Sequence, residues 1–149
     1  MPQTTDAISA RNVKIEFSTN GTSWTDISGS ANAIDSTEQP RMSGESYTAS
    51  GDTAIVTGGK REPIELEIKI VYTETAGEAF EVVRAAHDSD GVGYLRWSPK
   101  GGTTGQKQYT TGKGVITGFT YPPIDTSSGD PILGGFKLKV PSITPSTIA

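Results

Sequence analysis

Residues 62–74 read EPIELEIKIVYTE, and apolar and charged side chains alternate through the middle of this stretch. The apolar positions are Ile64, Leu66, Ile68 and Ile70, and the charged ones between them are Glu65, Glu67 and Lys69. A period of two residues is typical of a β-strand with one buried face, because successive side chains point to opposite sides of the sheet. The pattern predicts a long strand over residues 62–74, whose charged face is turned to solvent or to a partner.

A short amphipathic helix is predicted directly after this strand. Thr75 and Glu78 have the spacing of a capping box, in which the Thr hydroxyl and the Glu carboxylate each satisfy a free backbone N–H. Apolar residues then follow at helical spacing: Ala79, Phe80, Val82, Val83 and Ala86. We expect a helix over residues 76–87, with Phe80 and Val83 packing it onto a sheet.

The residues upstream predict a β-hairpin over residues 11–28. Its first strand alternates apolar and charged side chains: Val13, Lys14, Ile15, Glu16 and Phe17. Asn20-Gly21 supplies the positive φ angles that a tight hairpin turn needs. The return strand is expected from Ser23 to Ile27, with Trp24 among the residues that pack across the hairpin.

Three more strand signals complete the sheet: Tyr94 to Pro99, Gln108 to Tyr121 and Ile132 to Val140. The predicted fold class is mostly β (α+β), a β-sandwich or barrel-like sheet with one short amphipathic helix, a long loop and extended terminal arms. Residues 1–149 have a length suited to a single domain with one core. We expect an N-terminal arm at residues 1–10, a β core at residues 11–140 and a C-terminal arm at residues 141–149.

The segment from Gly29 to Lys60 is rich in Ser, Gly, Thr and Ala and contains only short apolar pieces. A structureless loop of this length is unusual inside a compact domain. The segment is therefore either a functional loop or an extended hairpin.

Composition favours an assembling protein over a nucleic-acid binder. The hydrophobic fraction is 33%, with 18 Gly and 9 Pro, so the core is lean and some surface is expected to be buried only against neighbours. A net charge of -4 lacks the excess of Lys and Arg that binding to phosphates requires. Cysteine is absent, which excludes disulfides, and no run of 18 apolar residues predicts a membrane span.

Residues suited to catalysis or metal binding are few. His87 is the only histidine, and the sequence identifies no partner that would orient it as a general base. The sequence Asp88–Gly91 resembles the start of a calcium loop, but the twelfth position holds Pro99 in place of the required Glu. Glu65 and Glu67 share one strand face beside a lysine, which favours a solvated or interface face over a catalytic pair. We therefore expect no enzymatic activity, no cofactor and no metal.

The order of these elements resembles the major tail tube proteins of long-tailed (siphovirus-like) bacteriophages. The resemblance spans residues 11–144 and rests on the pattern and order of elements rather than on a short motif. Its carriers are RNVKIEFSTNGTSWTDISG at 11–29, GKREPIELEIKIVYTETAGEAFEVVRAA at 59–86, GYLRWSPKG at 93–101 and GDPILGGFKLKVPSIT at 129–144.

In that family six subunits form a ring, their sheets line a channel, and the rings stack through a long loop and the terminal arms. The resemblance implies that Asp35 to Gly59 is the stacking loop, with six candidate contact residues: Arg41, Met42, Glu45, Tyr47, Asp52 and Ile55. It also implies a homo-oligomeric ring stacked into a tube, other tail proteins as partners, and DNA that passes through the lumen without specific binding during ejection. The protein would be made in the host cytoplasm and lie in the virion tail.

A second hypothesis comes from the hairpin sequence STNGTSW at residues 18–24, which resembles the turn motif of sialidase-type Asp boxes and of several carbohydrate-binding sandwiches. Together with Trp24 and Trp97, it keeps open a phage capsid decoration protein or a carbohydrate-binding β-sandwich module.

Overall fold

The computed structural model describes all 149 residues and contains eleven strands, one α-helix and a short 3-10 helix at Ala10–Asn12. The elements in chain order are β1 Lys14–Ser18, β2 Thr25–Asp26, β3 Ala31–Asp35, β4 Arg41–Ser46, β5 Ile55–Arg61, β6 Ile64–Val71, α1 Ala79–Asp88, β7 Val92–Ser98, β8 Lys107–Thr111, β9 Gly114–Thr120, β10 Leu133–Val140 and β11 Ile143–Thr147. Strands hold 44% of the residues and helices 9%, which confirms the mostly β class.

Nine of the strands form one continuous antiparallel sheet, in the order β11-β8-β7-β9-β10-β6-β3, with β1 beside β7 and β2 beside β1. Strand β7 belongs to both halves of this sheet. Along one edge it pairs with β1 from Tyr94 to Ser98, and along the other it pairs first with β9 and then with β8. The sheet therefore divides at β7 into two halves that can face each other across the core.

The core lies between these halves and is built from sixteen buried apolar residues. Strand β6 contributes alternate positions: Leu66, Ile68 and Ile70 are fully buried, while the charged residues between them are exposed. The Phe17 ring on β1 meets the Phe136 ring on β10 edge to face, with centroids 5.8 Å apart. The strand predicted from the alternating pattern is confirmed, although it begins and ends inside the predicted bounds.

The hairpin of β1 and β2 is also confirmed, but its turn differs from the prediction. Phe17 pairs with Thr25, and a loop of six residues, 19–24, joins the strands instead of a tight turn and includes Trp24, which was predicted in the return strand. Of Asn20 and Gly21, only Gly21 has a positive φ, +78°. The Asn20 side chain organises the loop instead, because its Oδ1 accepts hydrogen bonds from the backbone N–H groups of Thr22 and Ser23 at 2.9 and 2.8 Å.

The helix begins at Ala79, one turn later than predicted, and the predicted capping box is wrong. Glu78 is itself the N-cap residue and makes no side-chain cap, while its N–H binds the backbone oxygen of Thr75 at 3.2 Å. Gly77, with φ +88°, interrupts the helical path between them. The Ser30 hydroxyl caps the helix instead, because it accepts the Ala79 N–H at 3.3 Å.

The helix packs on the sheet through its apolar face. Phe80 is 3% exposed and Val83 is fully buried. The Phe80 ring lies 4.7 Å from the Tyr72 ring and 5.1 Å from the Phe119 ring, centroid to centroid. With ten residues, this helix is much too short to cross a bilayer, and the protein has no longer one.

The C-terminal residues are not the free arm that was predicted. Strand β11 adds to the edge of the sheet and pairs with β8 from Ile143 to Thr147. Pro145 is compatible with an edge strand. One side of such a strand pairs with no neighbour, so a residue without a backbone N–H on that side removes no hydrogen bond between strands. The single strand predicted from Gln108 to Tyr121 is two strands, separated by the turn at Gly112. At the other end, residues 1–9 form neither helix nor strand and are exposed.

Candidate assembly surface

The segment from Gly29 to Lys60 contains an extended hairpin, one of the two possibilities that the sequence leaves open. Strand β3 stays in the main sheet beside β6. The chain then leaves the sheet at Ser36, which has φ +60°. Strands β4 and β5 pair only with each other and form a two-stranded ribbon, in which every strand residue is exposed.

The register gives this ribbon two chemically different faces. Gly44 pairs with Thr57, and Ser46 pairs with Ile55. Directly paired residues, and alternate residues along one strand, point to the same side of a sheet, so these four residues share one face with Met42 and Gly59. The face without charge, called the uncharged face below, consists of Met42, Gly44, Ser46, Ile55, Thr57 and Gly59. Lys60 lies with Gly59 opposite Met42, at the register shift at the base of the ribbon. The opposite face, called the charged face, contains Arg41, Ser43, Glu45, Val56, Gly58 and Arg61. The two faces are therefore suited to different environments.

Large apolar side chains on the ribbon are exposed to solvent. Met42 is 48% exposed, Ile55 55%, Val56 71%, and Tyr47, in the turn beyond the strands, 68%. Exposed apolar groups concentrated on one projecting element mark an interaction surface more often than scattered single ones do. This concentration makes the ribbon the strongest candidate assembly surface.

The ribbon holds all six residues predicted to contact a stacked ring, but it does not bring them together. Met42 and Ile55 lie on the uncharged face, whereas Arg41 and Glu45 lie on the charged face. Tyr47 and Asp52 lie in the turn between the strands. Their contact with a second subunit stays a prediction.

Hydrogen bonds join the two sides of the ribbon at its base, and one more connects this base to the body of the protein. The Glu62 N–H donates to the Pro40 oxygen at 2.9 Å, and the Arg41 Nη1 donates to the Gly59 oxygen at 3.0 Å. The Gln39 side chain donates to the backbone oxygen of Pro141 at 3.1 Å. These bonds set the direction in which the ribbon leaves the body of the protein.

A groove without charged side chains lies beside this base. It consists of two adjoining depressions of about 410 and 510 Å³, which share Thr37 and Trp97. The first is lined also by Gln39, Ile64, Tyr109, Ile143 and Pro145, and the second by Ile8, Ser9, Ala10, Val13, Ile15, Asn32, Ala33, Ile34 and Pro99. The half-buried Trp97 and Tyr109 rings stack there with centroids 6.1 Å apart. This groove is below called the Trp97 groove, and sequence reasoning missed it because its lining comes from six separate parts of the chain.

The sheet also ends in unpaired edges. Strand β3 pairs only with β6, and strand β11 pairs only with β8. Each of these strands therefore has a free row of backbone donors and acceptors, which is a template for pairing with another chain.

The exposed face of β6 holds a ladder of opposite charges and not a catalytic pair. Glu65 lies directly opposite Lys139, and Glu67 lies directly opposite Lys137 on β10. Cross-strand pairs of opposite charge stabilise a sheet by a few tenths of a kcal/mol to about 1 kcal/mol each. The ladder accounts for these carboxylates structurally.

His87 has a packing role at the end of the helix. Its ring stacks on Phe119 with centroids 5.6 Å apart, and Nδ1 lies 3.8 Å from the nearest oxygen of Asp88. No group of three His, Cys, Asp or Glu residues is placed to hold a metal ion. The geometry around His87 includes no hydrogen bond that would orient the ring for proton transfer.

No protein-family model and no curated protein sequence matches this chain. Solved structures, in contrast, match nearly all of it. A chain of the sheath-tube complex of the extracellular contractile injection system PVC, in the extended state, matches with a TM-score of 0.73 and 12% identity over 97% of this chain and 94% of that chain. A chain from the tube-terminating cap of the anti-feeding prophage matches with a TM-score of 0.70 and 12% identity over 99% and 95%. A chain from the baseplate of the anti-feeding prophage matches with a TM-score of 0.71 and 9% identity over 98% and 99%.

TM-scores of 0.70 to 0.73 over nearly the whole chain establish a shared fold, and at identities of 9 to 12% they establish the fold alone. The chain therefore has a fold that occurs in contractile injection particles, which have a tube, a sheath and a baseplate. The narrower resemblance of the sequence to the tail tube proteins of long-tailed phages stays a prediction.

Proposed function

We propose that this chain is a structural subunit that assembles with copies of itself into stacked hexameric rings. The rings form the tube of a phage tail or of a phage-tail-like particle, and the tube is the conduit for ejection, with DNA as the cargo in a phage. Other tail proteins bind the ends and the outside of the tube. The subunit is made in the host cytoplasm, becomes part of the particle, and has no catalytic role.

The observation that carries this proposal is the exposed ribbon of β4 and β5, attached to a body with the fold of contractile injection components. An isolated two-stranded ribbon is at best marginally stable in water, and large apolar side chains on it gain from burial. Contact with a neighbouring subunit would both stabilise the ribbon and bury these side chains. The free edges of β3 and β11 offer a second type of contact to neighbours in a ring.

Electrostatics are compatible with passage of DNA. A channel that held DNA by its phosphates would need clustered Lys and Arg, and affinity would rise with their number. The chain carries 13 Lys and Arg against 17 Asp and Glu. This balance disfavours retention of a polyanion.

The test is electron microscopy of the purified protein at rising concentration, alone and with the assembly chaperone of its particle if one is encoded nearby. Rings or tubes with six-fold symmetry are the expected result. A population of monomers under all these conditions, supported by light scattering, would contradict the proposal.

The carbohydrate-binding hypothesis has less support from the geometry of its aromatic residues. The Arg96 guanidinium carbon lies 4.3 Å from the centroid of the Trp24 ring and covers one face of it. Sugar rings stack on free aromatic faces, so this contact takes away part of the surface that Trp24 would offer. Binding on a glycan array that disappears in the Trp24→Ala variant would favour this hypothesis over the tube.

A further inference from the structure

The ribbon of β4 and β5 cannot fill the Trp97 groove of its own chain. Its base follows Gln39, which lines that groove, and its strands lead away from the base. Six residues of extended strand span about 20 Å. The exposed tip of the ribbon is therefore far from the groove beside which the ribbon begins.

We propose that the uncharged face of the ribbon docks into the Trp97 groove of a second copy of this chain. This inference rests on the proposed function and specifies the contact through which subunits join. The occupant of the groove is thus a defined segment, residues 42–59 of a neighbouring subunit.

The chemistry of the two surfaces matches. None of the residues that line the Trp97 groove is charged, whereas three other depressions on the protein are lined by Glu67 and Lys69, by Asp90, and by Lys100 and Lys107. Above its base, where Lys60 lies at the register shift, the ribbon likewise has only one face without a charge. Burial of the charged face would place Arg41 and Glu45 in an apolar groove without partners, which is costly. Only the uncharged face can enter at little cost.

Two glycines suit the uncharged face to close approach. Gly44 lies between Met42 and Ser46 on this face, and a Cβ on Gly59 would lie 3.1 Å from the Met42 Cβ. With no side chain at either position, the ribbon backbone can come close to an opposing surface. The Met42 and Ile55 side chains then project as the apolar groups that fill the groove.

In the stacked rings proposed above, the contact is head to tail: the ribbon of each copy docks on the next copy, and its own groove receives the ribbon of a third. Repetition of a head-to-tail contact produces a closed ring or an open filament, and not a symmetric dimer. A ribbon face about 20 Å long and two strands wide is small compared with the roughly 1,000 Å² that a specific interface usually buries. The contact is therefore expected in the assembled state, supported by the others, and not as a stable isolated dimer.

The absence of cysteine from the chain permits a clean crosslinking test. Thr37→Cys places a thiol at the exposed rim of the groove, and Ser46→Cys places one on the uncharged face. Equal amounts of the two variants are assembled together, oxidised and run on a non-reducing gel. We expect a dimer that contains one chain of each variant, identified by a mass difference from a tag on one of them. The matched control replaces Ser46→Cys with Ser43→Cys, which lies on the charged face of the same strand and should give little of this dimer.

A second pair of variants keeps the proposal testable if the cysteines disturb assembly. Ile55 and Val56 are neighbours on opposite faces of the ribbon. Ile55→Glu should raise the concentration needed for assembly by about tenfold or more, which corresponds to a loss of about 1.4 kcal/mol of association free energy. Val56→Glu should change this concentration by less than about threefold. Equal effects of the two variants would overturn the choice of face.

The outcomes separate this inference from the proposed function. Tubes that form normally without the Thr37–Ser46 crosslink would overturn the docking and leave the tube subunit standing. Failure of the unmodified protein to form any ring or tube would overturn the proposed function, and the docking with it. Tubes with the crosslink would support both.

Discussion

Arg96 donates two hydrogen bonds to the carboxylate of Glu16, from Nε at 3.0 Å and from Nη2 at 3.1 Å. The two residues are direct cross-strand neighbours on β1 and β7. Glu16 is only 7% exposed, and its carboxylate has little access to water. Because a buried carboxylate is costly without a partner, the pair joins two strands that the chain separates by 80 residues.

The Arg96→Ala variant should lower the free energy of unfolding by about 3 kcal/mol, the lower end of the range for a buried pair that loses one partner. The lower end applies because the Arg96 side chain is 27% exposed, so water can reach the carboxylate that remains. Urea unfolding followed by circular dichroism measures this. Lys14→Ala is the control: its ammonium lies 3.8 Å from Glu16 and its side chain is 39% exposed, so its loss should cost less than about 1 kcal/mol. Equal costs would contradict the special role of Arg96.

Phe80→Ala should lower the free energy of unfolding by about 3 to 5 kcal/mol, because it removes the ring that joins the helix to Tyr72 and Phe119 and leaves a cavity. A thermal melt and a urea titration measure the loss. Ile124→Ala, at a position 74% exposed, should stay within about 0.5 kcal/mol. A melt of Phe80→Ala that equals the wild-type melt would refute the packing of the helix on the sheet.

Ser30→Ala should destabilise the protein by about 1 kcal/mol, the usual cost of losing an N-terminal helix cap. Thr75→Ala should change stability by less than about 0.5 kcal/mol, because the Thr75 hydroxyl caps no backbone group. Urea unfolding of both variants decides between the two possible caps. A larger loss of stability in Thr75→Ala than in Ser30→Ala would support the capping box and contradict the cap formed by Ser30 on Ala79.

The parts of the fold that the sequence predicts well are those encoded by local periodicity. Strand β6 alternates apolar and charged residues, and the structure buries its apolar positions from Ile64 to Ile70. The position of Phe80 against the sheet also follows from helical spacing of apolar residues. In both cases the signal is strong because one face of the element must be buried and the other must not.

The missed features depend on residues that are far apart in the chain. Ser30 caps a helix that begins 49 residues later, and no local pattern marks it. Strand β11 has the sequence ITPST, without alternation, and forms because β8 offers an edge. The two faces of the ribbon depend on its register, which shifts between Arg41 and Ser43 opposite Gly59 and Lys60. The glycines at 58 and 59 indicate a turn or bulge there, but they do not show which residues of the two strands pair. The Trp97 groove exists only after distant strands have come together.

Acid stability should depend in part on Asp26. Hydrogen bonding by the Ser28 side chain, and also by the Ser28 backbone N–H at 2.9 Å, lowers the pKa of Asp26 below its ordinary value. A carboxyl whose pKa is lower in the folded state contributes stability above its unfolded pKa, and this contribution is lost as the pH falls through the folded pKa.

Between about pH 5 and pH 3, the melting temperature of Asp26→Asn should therefore fall less steeply than that of the wild type. Asp6→Asn, in the exposed N-terminal segment, is the control and should follow the wild-type curve. Scanning calorimetry over this pH range provides the measurement. Parallel curves for wild type and Asp26→Asn would show that the Ser28 hydrogen bonds do not stabilise the charged carboxylate.

Removal of the ribbon should separate folding from assembly. Met42 and Gly59 lie side by side at the base, so residues 43–58 can be replaced by Asn-Gly, which closes a tight turn between them. The strand residues removed are exposed, and their ladder joins only β4 to β5. The free energy of unfolding should therefore change by less than about 0.5 kcal/mol. Assembly into tubes should be lost, because the surface that reaches the next subunit is gone.

Light scattering and electron microscopy measure assembly of this variant, and urea unfolding measures its stability. The matched control deletes residues 126–128 from the exposed loop between β9 and β10, and it should both fold and form tubes. Normal tubes from the ribbonless variant would show that subunits join through other surfaces, such as the free edges of β3 and β11. A ribbonless variant that fails to fold would show instead that the ribbon stabilises the body of its own subunit. That result would contradict the small change in stability expected from the exposure of all its strand residues.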